Sequence, residues 1–260
     1  MTDFGIRDGN VGVMKGVIWG IAPGASISDL SHLIQPQNVR EASLILGRVV
    51  PYFPDGSVHV VVVDPGVGTR RRAIAGRLGS QLFVGPDNGV ISVLLDYAEK
   101  HGWPVAFVDL DKPDYWLKEI SNVFHGRDIF SPVGAHLAAG VPLEAVGSTI
   151  DDVIRIEIPR PRKTPDGYRG QVLHIDHFGN IATNLMREDL TGVEKLHIHL
   201  RGEEIRGLYR TFGELPPGEI MALFGSTGSL IVSVVNGSAA ARLGAEVDDE
   251  FDLVVDSADA

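Results

Sequence analysis

Apolar residues return at every third or fourth position in three stretches. Over residues 10–23 they are Met14, Val17, Ile18 and Ile21, at i, i+3, i+4 and i+7, which predicts an amphipathic helix ended by Pro23 and Gly24. Residues 37–50 repeat the spacing through Val39, Ala42, Leu46, Val49 and Val50, and residues 89–100 through Val90, Val93, Leu94 and Tyr97. Residues 58–63 are instead a nearly unbroken β-branched run closed by Asp64-Pro65-Gly66, as expected of a strand covered on both faces in a parallel sheet. Residues 82–85 and 105–108 are shorter candidates of the same kind. Strands alternating with helices predict an open α/β sheet. Ligands of such sheets sit beyond the carboxyl ends of the strands, which puts Asp64 where chemistry is expected.

The texture changes over residues 158–170, where three prolines accompany Arg160, Arg162, Lys163 and Arg169. Beyond it, segments 171–175, 195–200, 219–224, 229–235 and 251–255 are short, often alternating, and separated by turn residues. They predict a smaller all-β, barrel-like domain. The expected organisation is an α/β domain at 1–157, a linker at 158–169 and a β domain at 170–260. Residues 244–260 hold seven acids and no base, the composition of a solvated edge and a frayed tail.

Composition narrows the function classes. The 260 residues are 44% hydrophobic and 22% charged, which suits a folded chain of one large or two modest domains. With 23 basic and 34 acidic side chains the net charge is −11, opposing a polyanionic partner, so neither nucleic acid nor an anionic membrane is expected. The absence of cysteine removes disulfides, thiolate zinc sites, iron–sulfur clusters and cysteine nucleophiles. No run approaches the roughly 20 apolar residues of a spanning helix, and the start lacks a basic, apolar leader; a cytoplasmic protein is expected. Dinucleotide, P-loop, zincin and nucleophile-elbow motifs are missing. His197 and His199 share a face of one predicted strand and His174 lies near His177, but two histidines without an assured carboxylate make a weak metal signal, and no metal is expected.

Four polar constellations remain, each with a plain structural explanation. In residues 2–10, TDFGIRDGN, Asp8 or Asn10 could simply cap the first helix. In residues 64–72, DPGVGTRRR, Asp-Pro-Gly is a turn former, although three successive arginines are more than a turn needs. In residues 124–130, FHGRDIF, Asp128 could cap a helix carrying Pro132 and His136, with His125 an ordinary half-buried ring. Residues 175–184, IDHFGNIATN, could be a hairpin loop.

Taken in order with VGVMKG at 11–16, VVVDPGVGT(x)RR at 61–72, GPDNG at 85–89, FHGRDIFSPVGAHLAAG at 124–140, GYRGQVLHIDHFGNIATNL at 167–185 and NGSAA at 236–240, these runs resemble the adenosine-forming S-adenosyl-L-methionine hydrolases, or SAM hydroxide adenosyltransferases. The resemblance spans nearly the whole chain. Fluorinases and chlorinases acting on the same substrate belong to the same superfamily.

The resemblance implies that Asp64, Arg71 and His125 hold the attacking water, where the halogenases carry a tyrosine at the position of Asp64 and a halide pocket near Gly126. It implies a trimer with each pocket between the first domain of one subunit and the second domain of a neighbour, and no cofactor. It places Asp3 on the ribose hydroxyls, and Asp8 and Asn10 at the methionine end. It places Asp176 on the amino acid, Phe178 against adenine, Asn180 and Asn236 on the adenine edge beside Gly237, and Ser226 on the methionine carboxylate. Relatives carry a few apolar residues before TDFG, whereas here Met1 directly precedes Thr2. The chemistry suits a metal-free site, since methionine leaves a sulfonium as a neutral thioether needing neither proton nor Lewis acid. The demanding part is the nucleophile. Imidazole is better matched than carboxylate as a base near neutrality, so His125 and Arg71 are expected to contact the water while Asp64 orients Arg71. Two alternatives stand beside hydrolysis: a halogenase, and a non-catalytic nucleoside or SAM sensor.

Overall fold

The computed structural model describes residues 1–193 and 195–255. The chain forms two compact units, Met1–Ile158 and Pro159–Ala260.

The first unit is built on a five-stranded sheet of β1 (Val58–Val60), β2 (Ala73–Leu78), β3 (Gln81–Pro86), β4 (Val105–Asp109) and β5 (Ser148–Ile150), in the order β1-β3-β2-β4-β5. The expected parallel pairing is confined to one edge, where β1 runs parallel to β3 and Thr2 bridges Val62 in parallel on its other side. The remaining pairs are antiparallel, because β2 and β3 form a tight hairpin through Gly79 (φ 60°) and Ser80 rather than a helical crossover. Helices cover both faces. Val61 and Val63 point into a core with α2 (Val39–Val49) and α3 (Ser92–Lys100); Val62 points oppositely, toward α1 (Asn10–Ile21) and α4 (Ser131–Ala138). The burial of residues 61–63 on alternating sides is what a β-branched run without polar positions demands.

Local chemistry sets the helix ends. Asn38 caps α2 by accepting from Glu41 N at 3.0 Å. At α1 the N-cap is Gly9, left-handed at φ 75°, with no side-chain cap, so neither Asp8 nor Asn10 plays that part. Of the predicted inner face of α1 only Met14 is buried, while Val13 and Trp19 are 45% and 47% exposed. Ahead of α4 the chain makes a π turn, Gly126–Phe130, and Asp128 is not its cap but is wholly buried. A cavity of about 600 Å³ lies in this unit between α1, residues 22–32, β1 and α4, with Met1 in its wall.

Among its described residues the second unit holds nine strands: β6 (Arg162–Thr164), β7 (Gly167–Ile175), β8 (Ile181–Met186), β9 (Leu196–Leu200), β10 (Glu203–Arg206), β11 (Leu208–Tyr209), β12 (Ile220–Phe224), β13 (Ser229–Val234) and β14 (Glu250–Val255). Residues 162–169 of the breaker-rich stretch are therefore sheet, with β6 folded back on β7 through Pro165 and Asp166. The strand path is β10-β9-β14-β7-β8-β13-β12-β11, and β10 lies against β12, so the sheet curls nearly shut around Val172, Ile181, Ile198, Val232 and Leu253. Gly170 is required where β7 crosses the Phe251 ring, since any Cβ would overlap it. One short helix, α5 (Ala239–Leu243), interrupts the strands, capped by Ser238 Oγ accepting from Ala241 N at 3.0 Å. No helix is long and apolar enough to cross a membrane, among the described residues.

Candidate active site

The parallel edge of the first unit brings two strand ends side by side. Met1 and Thr2 lie alongside residues 60–62, with the Met1 ammonium donating to Val60 O at 2.8 Å and Val62 N donating to Met1 O at 2.9 Å. Asp3 and Asp64 thus follow directly on neighbouring strand ends, the carboxyl-end position where open α/β sheets bind ligands. Asn88, in the loop after β3, donates from Nδ2 to Val63 O at 2.9 Å and so fixes the residue before Asp64.

From Asp64 the chain turns back through Pro65 and Gly66, with Val67 N donating to Asp64 O at 3.2 Å and Thr69 Oγ1 donating to Gly66 O at 2.7 Å. Gly68 (φ 74°) lies hard against Asn122 O, leaving no room for a side chain. The return delivers Arg71 to Asp64 as a fork. Arg71 Nε donates to Asp64 Oδ1 and Oδ2 at 2.9 and 3.0 Å, and Nη2 donates to Oδ2. The two side chains are only 10% and 4% exposed, and the guanidinium lies 5.2 Å from the Phe130 ring centroid. Arg72 points elsewhere, pairing with buried Asp87 and with Asp152, so the third of the successive arginines is structural.

His125 arrives from the segment before the π turn, with Nδ1 2.9 Å from Arg71 Nη2. Guanidinium nitrogens only donate, so Nδ1 accepts and the ring proton sits on Nε2. Burial, and then the Arg71 cation, push His125 below the ordinary histidine value, against a smaller upward pull from Asp64 and Asp128. Asp128 holds this segment in place, accepting from Ser121 N at 2.8 Å and from Arg127 Nε and Nη2 at 2.6 and 3.1 Å. Gly126 packs against Val62, Met14 and Phe124, and Phe124 meets Phe4 edge-on at 5.7 Å.

Carboxylate, guanidinium and imidazole therefore form one continuous hydrogen-bonded chain. Of the five Arg71 N–H groups, Asp64 and His125 engage three and Arg72 O, at 3.4 Å, a fourth. One guanidinium N–H and the His125 Nε2–H remain for a ligand, and both are donors. The large cavity of this unit is not lined by these three residues.

The other sequence candidates fall into groups. Asp3 is half-buried, its Oδ2 accepting from Gln37 N at 2.7 Å, while Asp8 and Asn10 lie exposed at the start of α1. In the second unit, residues 176–180 form the β7–β8 hairpin loop. Asp176 Oδ1 accepts from Phe178 N and Asn180 N, both at 2.9 Å, and Oδ2 accepts from Asn180 Nδ2 at 2.7 Å. Phe178 stands 73% exposed at its tip. The loop docks on Ser238 through Gly179, beside Asn236 (φ 54°) and Gly237, which bridges Val234. Ser226 lies apart from this cluster, in the turn at the opposite end of β13, about 20 Å away by strand rise. Sequence reasoning missed Asn88, Asp128 and Phe130 as supports of the charged chain. GPDNG and FHGRDIF were the signals for them. Among the described residues one group has metal-ligand spacing, His197, His199 and Glu204, on β9 and β10.

The SAM hydroxide adenosyltransferase N-terminal domain model matches residues 1–147 and its C-terminal domain model residues 170–252. An (R)-S-adenosyl-L-methionine hydrolase of Salinispora tropica is 42% identical over 94% of this chain and 92% of its own length. A fluorinase of Nocardia brasiliensis is more distant, at 31% identity over 76% and 73%. The crystal structure of an uncharacterized conserved protein from Thermotoga maritima, 36% identical, superimposes with a TM-score of 0.89 over 97% of this chain and 98% of that one. With both domain models matched in order and this identity along nearly its full length, the chain belongs to the SAM hydroxide adenosyltransferase family.

Proposed function

We propose that this protein hydrolyses S-adenosyl-L-methionine at the ribose 5′ carbon, giving adenosine and L-methionine. The observation that carries the reading is the Asp64–Arg71–His125 chain with its two unspent N–H donors. Water oxygen attacks the 5′ carbon as the carbon–sulfur bond breaks. Its electron pair stays on sulfur, methionine leaves as a neutral thioether, and the water's proton passes to solvent. Unspent donors without a free acceptor favour an anionic oxygen over neutral water, and a hydroxide approaching a sulfonium cancels charge in a dry site. Asp64 keeps Arg71 in place and balances its charge. His125, neutral with its proton on Nε2, works as a donor; to act as a base it must first release Arg71.

Substrate contacts extend the reading. Asp3 keeps Oδ1 for the ribose hydroxyls while Oδ2 holds Gln37 N. Asp8 and Asn10 serve the methionine end. Asp176, by holding Asn180 Nδ2, leaves Asn180 Oδ1 to accept from the adenine amine, with Phe178 as a stacking platform worth about 1–3 kcal/mol. Asn236 and Gly237 complete the adenine edge; Ser226, in the turn at the far end of β13, is too distant from them to touch the same substrate molecule. The working form is a homotrimer whose subunits complete one another's pockets, which accounts for the exposed Val13 and Trp19 on α1 and the bare Phe178 ring. The reading places the enzyme in the cytoplasm with its substrate.

The decisive experiment incubates purified protein with S-adenosyl-L-methionine in oxygen-18 water and separates the products. Labelled adenosine with equimolar methionine is expected. A 5′-halo-adenosine formed with chloride or fluoride, or stoichiometric binding without adenosine over hours, overturns the reading.

A further inference from the structure

The outward face of the β9–β10 hairpin has no part in this chemistry, yet its side chains are arranged for a ligand. In β9, Leu196, Ile198 and Leu200 point into the core, which turns His197 and His199 together onto the solvent face. A two-residue turn with both residues left-handed, Arg201 at φ 51° and Gly202 at φ 82°, returns the chain as β10. That turn sets the register, placing Glu204 directly opposite His199 and Arg206 opposite His197. The carboxylate needed to complete the pair of histidines is thus supplied from the next strand.

The three side chains already converge. One ligand atom from each of His197, His199 and Glu204 lies within 4.8 Å of the others, and His197 Nε2 is 3.8 Å from Glu204 Oε1. Arg206 Nε and Nη2 donate to Glu204 Oε2 at 2.9 and 2.7 Å, which fixes the carboxylate and leaves Oε1 facing the imidazoles. Asp252, the neighbour of His199 on β14, is occupied by Arg169 at 2.7 and 3.0 Å. Ligands about 2.0–2.1 Å from a tetrahedral ion lie roughly 3.4 Å apart, so closure asks only for small rotations of surface side chains.

We propose that His197, His199 and Glu204 form a binding site for a divalent transition metal of the zinc class. Two imidazoles and one carboxylate suit zinc, cobalt or nickel; magnesium and calcium demand all-oxygen sets. Three protein ligands leave a fourth position to water or to a donor from another molecule. The site is independent of the hydrolytic centre, which uses none of these residues.

The test titrates the chelator-treated full-length chain with zinc, then cobalt, with magnesium as control. One zinc per chain is expected, cobalt should show the visible absorption of a four-coordinate nitrogen–oxygen site, and magnesium should not compete. His197→Ala with His199→Ala should weaken zinc binding by at least ~100-fold, beyond what loss of an outer partner usually costs, and remove the cobalt absorption. Glu204→Gln, which keeps the shape and the sheet, should weaken binding while hydrolysis of S-adenosyl-L-methionine is unchanged. Undiminished zinc binding by the double histidine variant or by Glu204→Gln overturns the assignment, as does the absence of stoichiometric zinc binding by the unaltered chain.

Discussion

Arg71 is the hinge of the proposed chemistry because its planar fork touches both neighbours at once. Lysine keeps the charge but cannot span Asp64 and His125 together, so Arg71→Lys should lower kcat about 100-fold with little change in KM, measured by adenosine release. The state of His125 makes a second prediction. Its Nδ1 can accept from Arg71 only while the ring is neutral, and burial beside a cation already lowers its proton affinity. kcat/KM should therefore fall on the acid side with an inflection below the ordinary histidine value of 6.5, and the kcat/KM profile of His125→Gln should lack that limb. Nitrogen NMR shifts of the ring should report the proton on Nε2. An inflection above 6.5 would count against a neutral, Arg71-bound ring.

The turn from β1 to β2 and the segment before the π turn are the two pieces that bring the charged groups together. Gly68 sits where they touch, left-handed and without space toward Asn122 O. Gly68→Ala should cost about 1–2 kcal/mol for the left-handed backbone alone. It should also lower kcat by separating Arg71 from His125, read as reduced turnover in a chain with unchanged far-ultraviolet dichroism. Legibility in the sequence followed local regularity. The β-branched run before Asp64 was plain, whereas β8 escaped notice because its polar residues are buried: Thr183 Oγ1 donates to Leu230 O at 2.8 Å and Asn184 Oδ1 accepts from Gln171 N at 2.8 Å. β2 was hidden by Ala73, Ala75 and Gly76, residues with little strand preference, of which Gly76 lies against the Phe107 ring. Of the site, Asp64 stood out by its place at the end of that β-branched run, whereas Arg71 and His125 were readable only through motif resemblance. Spacing alone could not say that residues separated by 54 positions would meet, nor that Asn88 and Asp128 would hold them.

Assembly governs the molecule as a whole if each pocket is shared. α1 shows no polar outer face: Val13 and Trp19 are half-exposed and no basic residue closes its last turn. Val13→Asp combined with Trp19→Asp should yield monomers by light scattering and abolish turnover, while the unaltered chain elutes as a trimer; an active monomer would show that one chain suffices. Thr2 pairs with Val62 along the outermost edge of the first unit's sheet, so loosening that edge should carry Asp3 away from Asp64 while the linkage from Asp64 through Arg71 to His125 stays closed.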